Sequence, residues 1–201
     1  IERQDDDSLA IRFGIGIIKN VGANAVEGII AEREKGGPYR DVEDFCKRAD
    51  LSAANSRALE HLVKAGALDC LGDRGTLLAN VDRLVSLAKR ERELRESGQS
   101  TMFDLFGSHV DTPLPALELE PNEARREDML AWEKELLGIY ISEHPFHAAA
   151  PAVAPYASHS LSEVTLELAG QTITVAGMVN SAQARTTRDG RKFYIVELED
   201  L

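Results

Sequence analysis

The sequence has few of the residues that mark secreted, metal-stabilised or membrane proteins. It has two cysteines, Cys46 and Cys70, without a CxxC pair or a Cys/His cluster. This argues against disulfides and a zinc site and suits a reducing cytoplasm. No run approaches about 18 apolar residues, so we expect no membrane span. The first ten residues lack the basic and apolar regions of a signal peptide.

What is present is ordinary globular composition. The 201 residues are 43% hydrophobic and 28% charged, which predicts one large domain or two to three small ones. The sequence does not begin with methionine and ends in a strand-like pattern, VELEDL. We therefore interpret it as a piece of a longer chain.

The formal net charge of -11 argues, at first sight, against nucleic acid as a partner. The charge is unevenly distributed, however. Nine acidic and three basic residues lie between Asp111 and Ala150, a net charge of -6. More than half of the acidic excess belongs to that segment, so the whole-chain value does not describe the other surfaces.

Hydrophobic periodicity predicts a mainly helical chain with a short β segment at its end. Helices are expected over five stretches: about 25–35, 41–49, 55–66, 73–96 and 123–137. Asn55 or Ser56 is expected to cap the third of these helices, and Asn122 the fifth. Residues 144–160, rich in Ala and Pro, are expected to be a loop. From Gln171 the apolar period falls to two, and the Asp189-Gly190 turn signal between two apolar runs predicts a β-hairpin.

Residues 17–29, IIKNVGANAVEGI, have the pattern of an apolar turn, a glycine-containing hairpin and an immediate helix. Such a hairpin exposes the free backbone amides of a helix N-terminus, which bind phosphate without a basic side chain. The pattern resembles the helix-hairpin-helix motif, with Asn24 at the second glycine of Gly-x-Gly. Asn tolerates the left-handed conformation that this position needs. The predicted DNA contacts are Lys19, Asn20, Val21, Gly22, Ala23 and Asn24.

A looser copy of the motif runs from Leu62 to Leu77 and adds Gly66 and Ala67 to the predicted DNA contacts. The alternative for either copy is a plain helix-turn-helix corner in which the glycine is a C-cap.

A short peptide in the linker-like segment 98–121 carries the apolar residues Met102 and Phe103 after Gln99. Apolar residues in a segment without a core period suggest a docking peptide. The peptide resembles the motif by which bacterial polymerases bind the sliding clamp, in which Gln and two variable residues precede Leu or Met and then Phe. The alternative is that these residues fold back onto the helical domain.

Five blocks follow one another in an order that is more specific than any one of them. They are IRFGIGIIKNVGANAVEGII, GGPYRDVEDFCKRADL, LVKAGALDCLG, GQSTMF and LAWEKELLGIYISEHPF. Together they resemble the C-terminal half of bacterial DNA polymerase III alpha subunits, the C-family replicative polymerases. The resemblance implies a tandem helix-hairpin-helix domain over residues 1–97, a linker with the clamp-binding peptide over 98–121, a helical segment over 122–147, a linker over 148–170, and the first strands of an OB domain over 171–201.

The hairpin from Thr172 to Glu199 would be the start of that OB domain. OB domains lay single strands over basic and aromatic side chains, so the predicted contacts are Arg185, Arg188, Arg191, Lys192 and Tyr194. Phe193 is expected to point inward and Tyr194 outward, because side chains alternate along a strand. An OB fold needs five strands, so we expect the hairpin to be disordered or to pair its open edge with another chain.

The resemblance also implies the partners: DNA, the beta sliding clamp and other polymerase III holoenzyme subunits in the bacterial cytoplasm, without a membrane. It places the catalytic, Mg²⁺-binding aspartates upstream of this chain, which is therefore expected to be non-catalytic and to need no cofactor or metal. We interpret Asp5 to Asp7 as a solvated acidic turn, and His144 and His147 as structural or exposed residues. The rival function is a structural connector that packs polymerase domains together without touching DNA.

Overall fold

The computed structural model describes residues 2–3, 9–10, 13–49, 51, 55–97 and 117–201. The chain forms two units, residues 1–139 and 140–201, which are described separately. The first unit is helical and the second ends in a two-stranded antiparallel sheet, which confirms the mainly α fold class. Within the described ranges, no helix has the length and apolar character needed to cross a bilayer.

Six α-helices build the described part of the first unit. They are α1 (Ala23–Gly36), α2 (Val42–Arg48), α3 (Ser56–Lys64), α4 (Arg74–Ala79), α5 (Val81–Ser97) and α6 (Arg126–Leu137). A 3₁₀-helix at Ile15–Ile17 precedes α1, and two short strands, β1 (Glu2–Arg3) and β2 (Leu9–Ala10), pair near the start of the chain.

Side-chain caps determine where three of these helices begin. Asp41, Asn55 and Asp73 each accept a hydrogen bond from the backbone amide three residues later, at 2.7, 2.8 and 2.9 Å. Each bond satisfies an amide that has no partner within the helix itself. Of the two predicted caps of α3, Asn55 and Ser56, the structure has Asn55.

The core of the first unit lies around α3. Leu59, Leu62 and Val63 of this helix are fully buried, and α3 packs against α4, α5 and α6 while α2 packs against α5. Phe45 and Cys46 supply the contribution of α2. Burial raises the pKa of the Cys46 thiol to about 12, so the side chain stays neutral and serves as a small apolar group.

Residues 117–125 form a strap without regular secondary structure that lies along α4 and the start of α5. The Asn80 side chain bonds both polar groups of one strap residue: its amide donates to the Glu120 carbonyl at 2.9 Å, and its oxygen accepts from the Glu120 amide at 3.1 Å. The Thr76 hydroxyl likewise donates to the Asn122 carbonyl at 3.1 Å and accepts from the Asn122 amide at 3.2 Å. The strap is therefore part of the helical unit.

The prediction of one continuous helix over 73–96 is wrong, because the structure ends α4 at Ala79 and begins α5 at Val81. Asn80, between the two helices, is only 2% exposed and is committed to the strap. Hydrophobic periodicity does not predict this break, since one partner of the Asn80 side chain, Glu120, lies forty residues away in the sequence.

The prediction that a helix begins at Glu123 is also wrong, since α6 begins at Arg126. Asn122, the predicted cap, is bonded to Thr76 and Gly75 instead. Gly75 allows this close approach, because a Cβ atom there would overlap the backbone of the strap at Asn122.

The second unit begins with a series of short helical turns. These are Pro145–Ala148, α7 (Ala150–Val153), Ala154–Tyr156, Leu161–Glu163 and Leu166–Leu168. The prediction of a loop over 144–160 is therefore wrong. Pro145, Pro151 and Pro155 each occupy the first or second position of a helical turn, where the fixed φ of proline favours the helical conformation.

The second unit ends in the hairpin of β3 (Met178–Thr186) and β4 (Lys192–Glu199), which pair as an antiparallel ladder. The turn at Asp189 and Gly190 confirms the predicted turn, with Gly190 at φ 79°. The structure thus contains a two-stranded ladder in the hairpin for which we expected disorder or pairing of the open edge with another chain. The first arm of the hairpin, predicted to begin at Gln171, pairs with β4 only from Met178. Thr174 instead bonds to the backbone and hydroxyl of Ser158.

Candidate nucleic-acid interface

The first hairpin, residues 18–22, carries the chain from the 3₁₀-helix into α1. Ile18 and Val21 are buried in the core, and the Val21 amide donates to the Ile18 carbonyl at 3.2 Å. Lys19 and Asn20 lie exposed between them. Gly22 is the N-cap of α1, with φ -72° and ψ 146°. The two buried residues therefore anchor a turn whose tip faces solvent.

Asn20, and not Asn24, has the left-handed backbone conformation in this hairpin. Asn20 has φ 64°, the one positive φ among the described non-glycine residues. Asn24 is instead the second residue of α1, so the left-handed role predicted for it is wrong. Asn suits the observed position because its short polar side chain tolerates this region better than most side chains do.

The N-terminus of α1 presents backbone amides to solvent. Gly22, Ala23 and Asn24 are all exposed. Their amides donate no hydrogen bond to any of the described residues. The first turn of α1 also contains no acidic residue. The positive end of the helix dipole is thus open to an anion.

The other helices of the first unit begin differently. A side-chain oxygen already caps α2, α3 and α4. Acidic side chains occupy the first turns of α5 and α6, which hold Asp82, Glu127 and Asp128. A phosphate would therefore compete with a protein acceptor or be repelled at those helices, but not at α1.

Two distant helices hold the backbone of Lys19. The Lys19 amide donates to the carbonyl of Leu136, in α6, at 3.1 Å. The Lys19 carbonyl accepts from Nδ1 of His61, in α3, at 2.9 Å. We did not predict His61 as a site residue, and its place on a buried helix face is the only signal of it in the sequence. Both bonds leave the Lys19 side chain exposed.

The second glycine-containing turn, residues 65–68, has a different geometry. Gly66 has φ 79°, and its amide donates to the Val63 carbonyl at 2.9 Å while the Ala67 amide donates to Leu62 at 3.0 Å. This pair of bonds is a Schellman motif. It corresponds to the alternative of a plain corner with a glycine C-cap. The predicted DNA contacts of Gly66 and Ala67 stay predictions, and they cannot use these two amides while α3 is intact.

A buried arginine explains the close packing at this corner. A Cβ atom on Gly66 would overlap the Arg74 guanidinium, whose Nε lies 2.8 and 2.9 Å from the two carboxylate oxygens of Asp69. Its Nη1 lies 2.8 Å from Oε1 of Glu133, which is fully buried on α6. Burial alone would lower the pKa of Arg74, but the bonds to Asp69 and Glu133 outweigh it and raise that pKa.

The predicted basic and aromatic residues of the β-hairpin lie on two faces. Arg185 pairs across the ladder with Phe193, so these two side chains share one face. Lys192 pairs with Thr186, and Tyr194 shares its face, on the opposite side of the sheet. Phe193 and Tyr194 are 43% and 69% exposed, so the expectation that Phe193 points into a core is wrong for this unit.

Comparisons with known proteins agree with the geometry of the first unit. Residues 2–77 match the family model described as a helix-hairpin-helix motif. The chain is also 42% identical over 183 residues to a DNA polymerase III subunit alpha from Thermus aquaticus, 38% identical over 206 residues to one from Saccharopolyspora erythraea, and 37% identical over 198 residues to one from Vibrio cholerae. These alignments cover 90, 95 and 97% of the chain.

The chain belongs to the DNA polymerase III alpha subunit family. It spans only 14 to 17% of the length of these three alpha subunits. The helix-hairpin-helix match ends at residue 77, yet the bonds to Leu136 and Glu133 show that α6 belongs to the same helical unit.

Two predicted features lie outside the described residues of this alpha-subunit segment. The residues predicted to bind the clamp, Gln99, Met102 and Phe103, fall within 98–116, and the acidic run falls within 4–8. In the second unit, His144 Nε2 lies 3.5 Å from Glu199 and His147 Nδ1 lies 3.1 Å from Glu143. The interpretation of both histidines as structural or exposed residues stays a prediction.

Proposed function

We propose that this chain holds duplex DNA by its phosphate backbone within a replicative polymerase and tethers that polymerase to the sliding clamp. The observation that supports DNA binding is the exposed N-terminus of α1. Three amides there have no hydrogen-bond acceptor among the described residues, and the first turn of α1 contains no acidic residue. Phosphate contacts position a protein without reading bases, so binding would be independent of DNA sequence.

Several weak contacts must act together in this proposal. A phosphate at an exposed helix N-terminus contributes about 0.3–1 kcal/mol, and the exposed Lys19 side chain would neutralise a second phosphate. Binding would therefore depend strongly on salt concentration. The contact at the helix N-terminus needs no basic side chain, so the net charge of -11 does not argue against it.

The basic tip of the β-hairpin would add a contact to single-stranded DNA. Arg188 and Arg191 lie in the turn region itself, next to Arg185, Lys192 and Tyr194 on the strand ends. These last three residues lie on two faces of the hairpin. A DNA single strand could stack on Tyr194 beside Lys192, or it could run past Arg185, but it could not contact both faces at once. The OB domain that this hairpin would begin is part of the proposal.

Valine in place of Gly22 tests the duplex contact. A Cβ atom at Gly22 meets nothing within 4 Å, so the fold should tolerate the substitution, while the branched side chain would cover the amides of α1. We expect weaker binding to a labelled duplex at low salt. Gly14→Val is the matched control, because Gly14 is also an N-cap, with φ -75° and ψ 134°, and has equal space. Equal affinities for both variants would favour the connector that packs polymerase domains without touching DNA.

The clamp tether is tested by titrating labelled beta clamp with the chain. Burial of Met102 and Phe103 contributes roughly 1.5–3 kcal/mol each, and ordering the peptide offsets part of that, so we expect affinity around micromolar. Alanine at Gln99, Met102 and Phe103 together should abolish binding. Alanine at the two variable positions, Ser100 and Thr101, is the control, and an unchanged affinity in the triple variant would contradict the tether.

We assign no catalytic step to the residues of this chain, whose part in replication in the bacterial cytoplasm would be to hold DNA and the clamp for other polymerase III holoenzyme subunits. Two attachments on one chain raise overall affinity through effective concentration. Nucleotide incorporation by the isolated chain, measured by primer extension, would contradict this assignment.

A further inference from the structure

The first hairpin is held by two helices that lie far from it in sequence. We propose that His61 is a positioning residue for duplex binding, because it holds the Lys19 backbone in the geometry that keeps the first amides of α1 exposed. This inference rests on the proposed binding of duplex DNA by the first hairpin. It concerns a side chain that does not itself contact DNA.

The direction of the His61 bond follows from its partner. A carbonyl oxygen can only accept, so the ring nitrogen Nδ1 must carry the hydrogen that it shares with Lys19 at 2.9 Å. The Lys19 amide points the other way, to Leu136 at 3.1 Å. Both backbone polar groups of Lys19 are therefore satisfied inside the protein. Neither of the two peptide groups that flank Lys19 can rotate without losing a hydrogen bond.

The residue that follows Lys19 makes this restraint necessary. Asn20 adopts φ 64°, a conformation that is uncommon for non-glycine residues and that even Asn, which tolerates it best, does not prefer. Rotation there would swing Gly22 and the start of α1 relative to the buried anchors Ile18 and Val21. The donor on His61 thus acts on the DNA-facing amides through the Lys19 carbonyl.

Packing alone does not require a histidine at this position. His61 is only 8% exposed, on a helix whose Leu59, Leu62 and Val63 are fully buried. An apolar side chain of similar size would fill the same space without the cost of burying a polar ring. The hydrogen bond to the hairpin is what the ring adds.

Three substitutions separate the donor from the volume. In His61→Asn the amide nitrogen stands near the position of Nδ1, in His61→Gln it stands further out, near Nε2, and His61→Leu has no donor. We would measure fluorescence anisotropy of a labelled duplex with the 201-residue chain at about 50 mM salt. The Leu and Gln variants should bind about tenfold more weakly, the effect of one lost hydrogen bond, while Asn should stay within about twofold of the original.

Equal affinities for all four proteins would overturn the proposal. Hydrogen exchange of the Lys19 amide, followed by NMR, is the second measurement, because protection of this amide reports its bond to Leu136 directly. Protection should persist in the Asn variant and fall in the Gln and Leu variants, and an unprotected Lys19 amide in the original chain would also overturn the proposal.

The two measurements distinguish failure of the inference from failure of the proposed function. Should the original chain not bind duplex DNA, duplex binding itself is contradicted, and the exchange of the Lys19 amide decides whether His61 positions the hairpin. Should the Leu variant not fold, as circular dichroism would show, the two polar variants give the comparison.

Discussion

The two glycine-containing turns of the helical unit resemble each other in sequence and differ in what their amides do. At the first turn the amides of Gly22, Ala23 and Asn24 remain exposed at the start of α1. At the second turn the amides of Gly66 and Ala67 donate to the carbonyls of α3. The first turn leaves the N-terminal amides of α1 exposed to solvent, and the second turn caps the C-terminus of α3.

The difference arises from the place of the left-handed residue. At the second turn the left-handed Gly66 comes directly after α3, where it lets the chain return to the last carbonyls of that helix. At the first turn the left-handed Asn20 comes before Gly22, so the bend is complete when α1 begins. A glycine alone therefore does not distinguish a phosphate-binding hairpin from a corner.

The largest expected effect concerns the ion pair that sits against the second turn. Glu133→Leu removes one of the two carboxylate partners of Arg74, whose side chain is 8% exposed, and leaves Asp69 as the other. We expect the free energy of unfolding to fall by about 3 kcal/mol, the lower end for a broken buried pair, because Asp69 still offsets part of the charge. Adding Arg74→Met should restore all but about 1 kcal/mol, because apolar groups of similar volume replace the pair. Urea denaturation measures both, and an equal loss in the double variant would show that the charges are not the cause.

The second-largest expected effect is the loss of stability when either turn glycine is replaced by alanine. Gly66→Ala places a side chain at φ 79° against Arg74 and should cost about 2 kcal/mol of stability. Gly22→Ala, at φ -72° with open space, should cost only about 0.5 kcal/mol. Thermal unfolding measures these losses. If both glycines proved equally sensitive, the contrast between the turns would be lost.

The smallest effect concerns the lysine at each turn. A plot of log affinity for duplex DNA against log salt concentration has a negative slope. Lys19→Ala should reduce the steepness of this slope by about 1, the loss of one phosphate contact. Lys64→Ala should leave the slope unchanged, because Lys64 is paired with Glu60 at 2.6 Å. A salt titration of both variants decides this, and the reverse order would move the proposed interface to the second turn.

Local pattern was sufficient where the determinants are local. Asn55 caps α3 as predicted because its side-chain oxygen reaches an amide three residues ahead, and the Asp189-Gly190 turn forms because Gly190 adopts φ 79°. The hairpin at Lys19 was also predicted, since the glycine and the helix that follows are contiguous in the sequence. These features depend on neighbours within a few residues.

Contacts between residues far apart in the sequence could not be predicted from hydrophobic periodicity or turn signals. Asn80 breaks the predicted helix because it bonds Glu120, and His61 fixes the hairpin because it reaches Lys19, 42 residues earlier. Asn20 took the left-handed place predicted for Asn24 because the buried positions of Ile18 and Val21 set the turn between them. In each case a local preference yielded to a contact that periodicity does not encode.

The strap has a consequence for how this region tolerates insertions. Leu117, at the start of the strap, packs against the core of the helical unit. One residue added between Glu120 and Asn122 would misalign the bonds that Asn80 and Thr76 make to the strap. Related chains should therefore keep the length of the strap constant between these two residues.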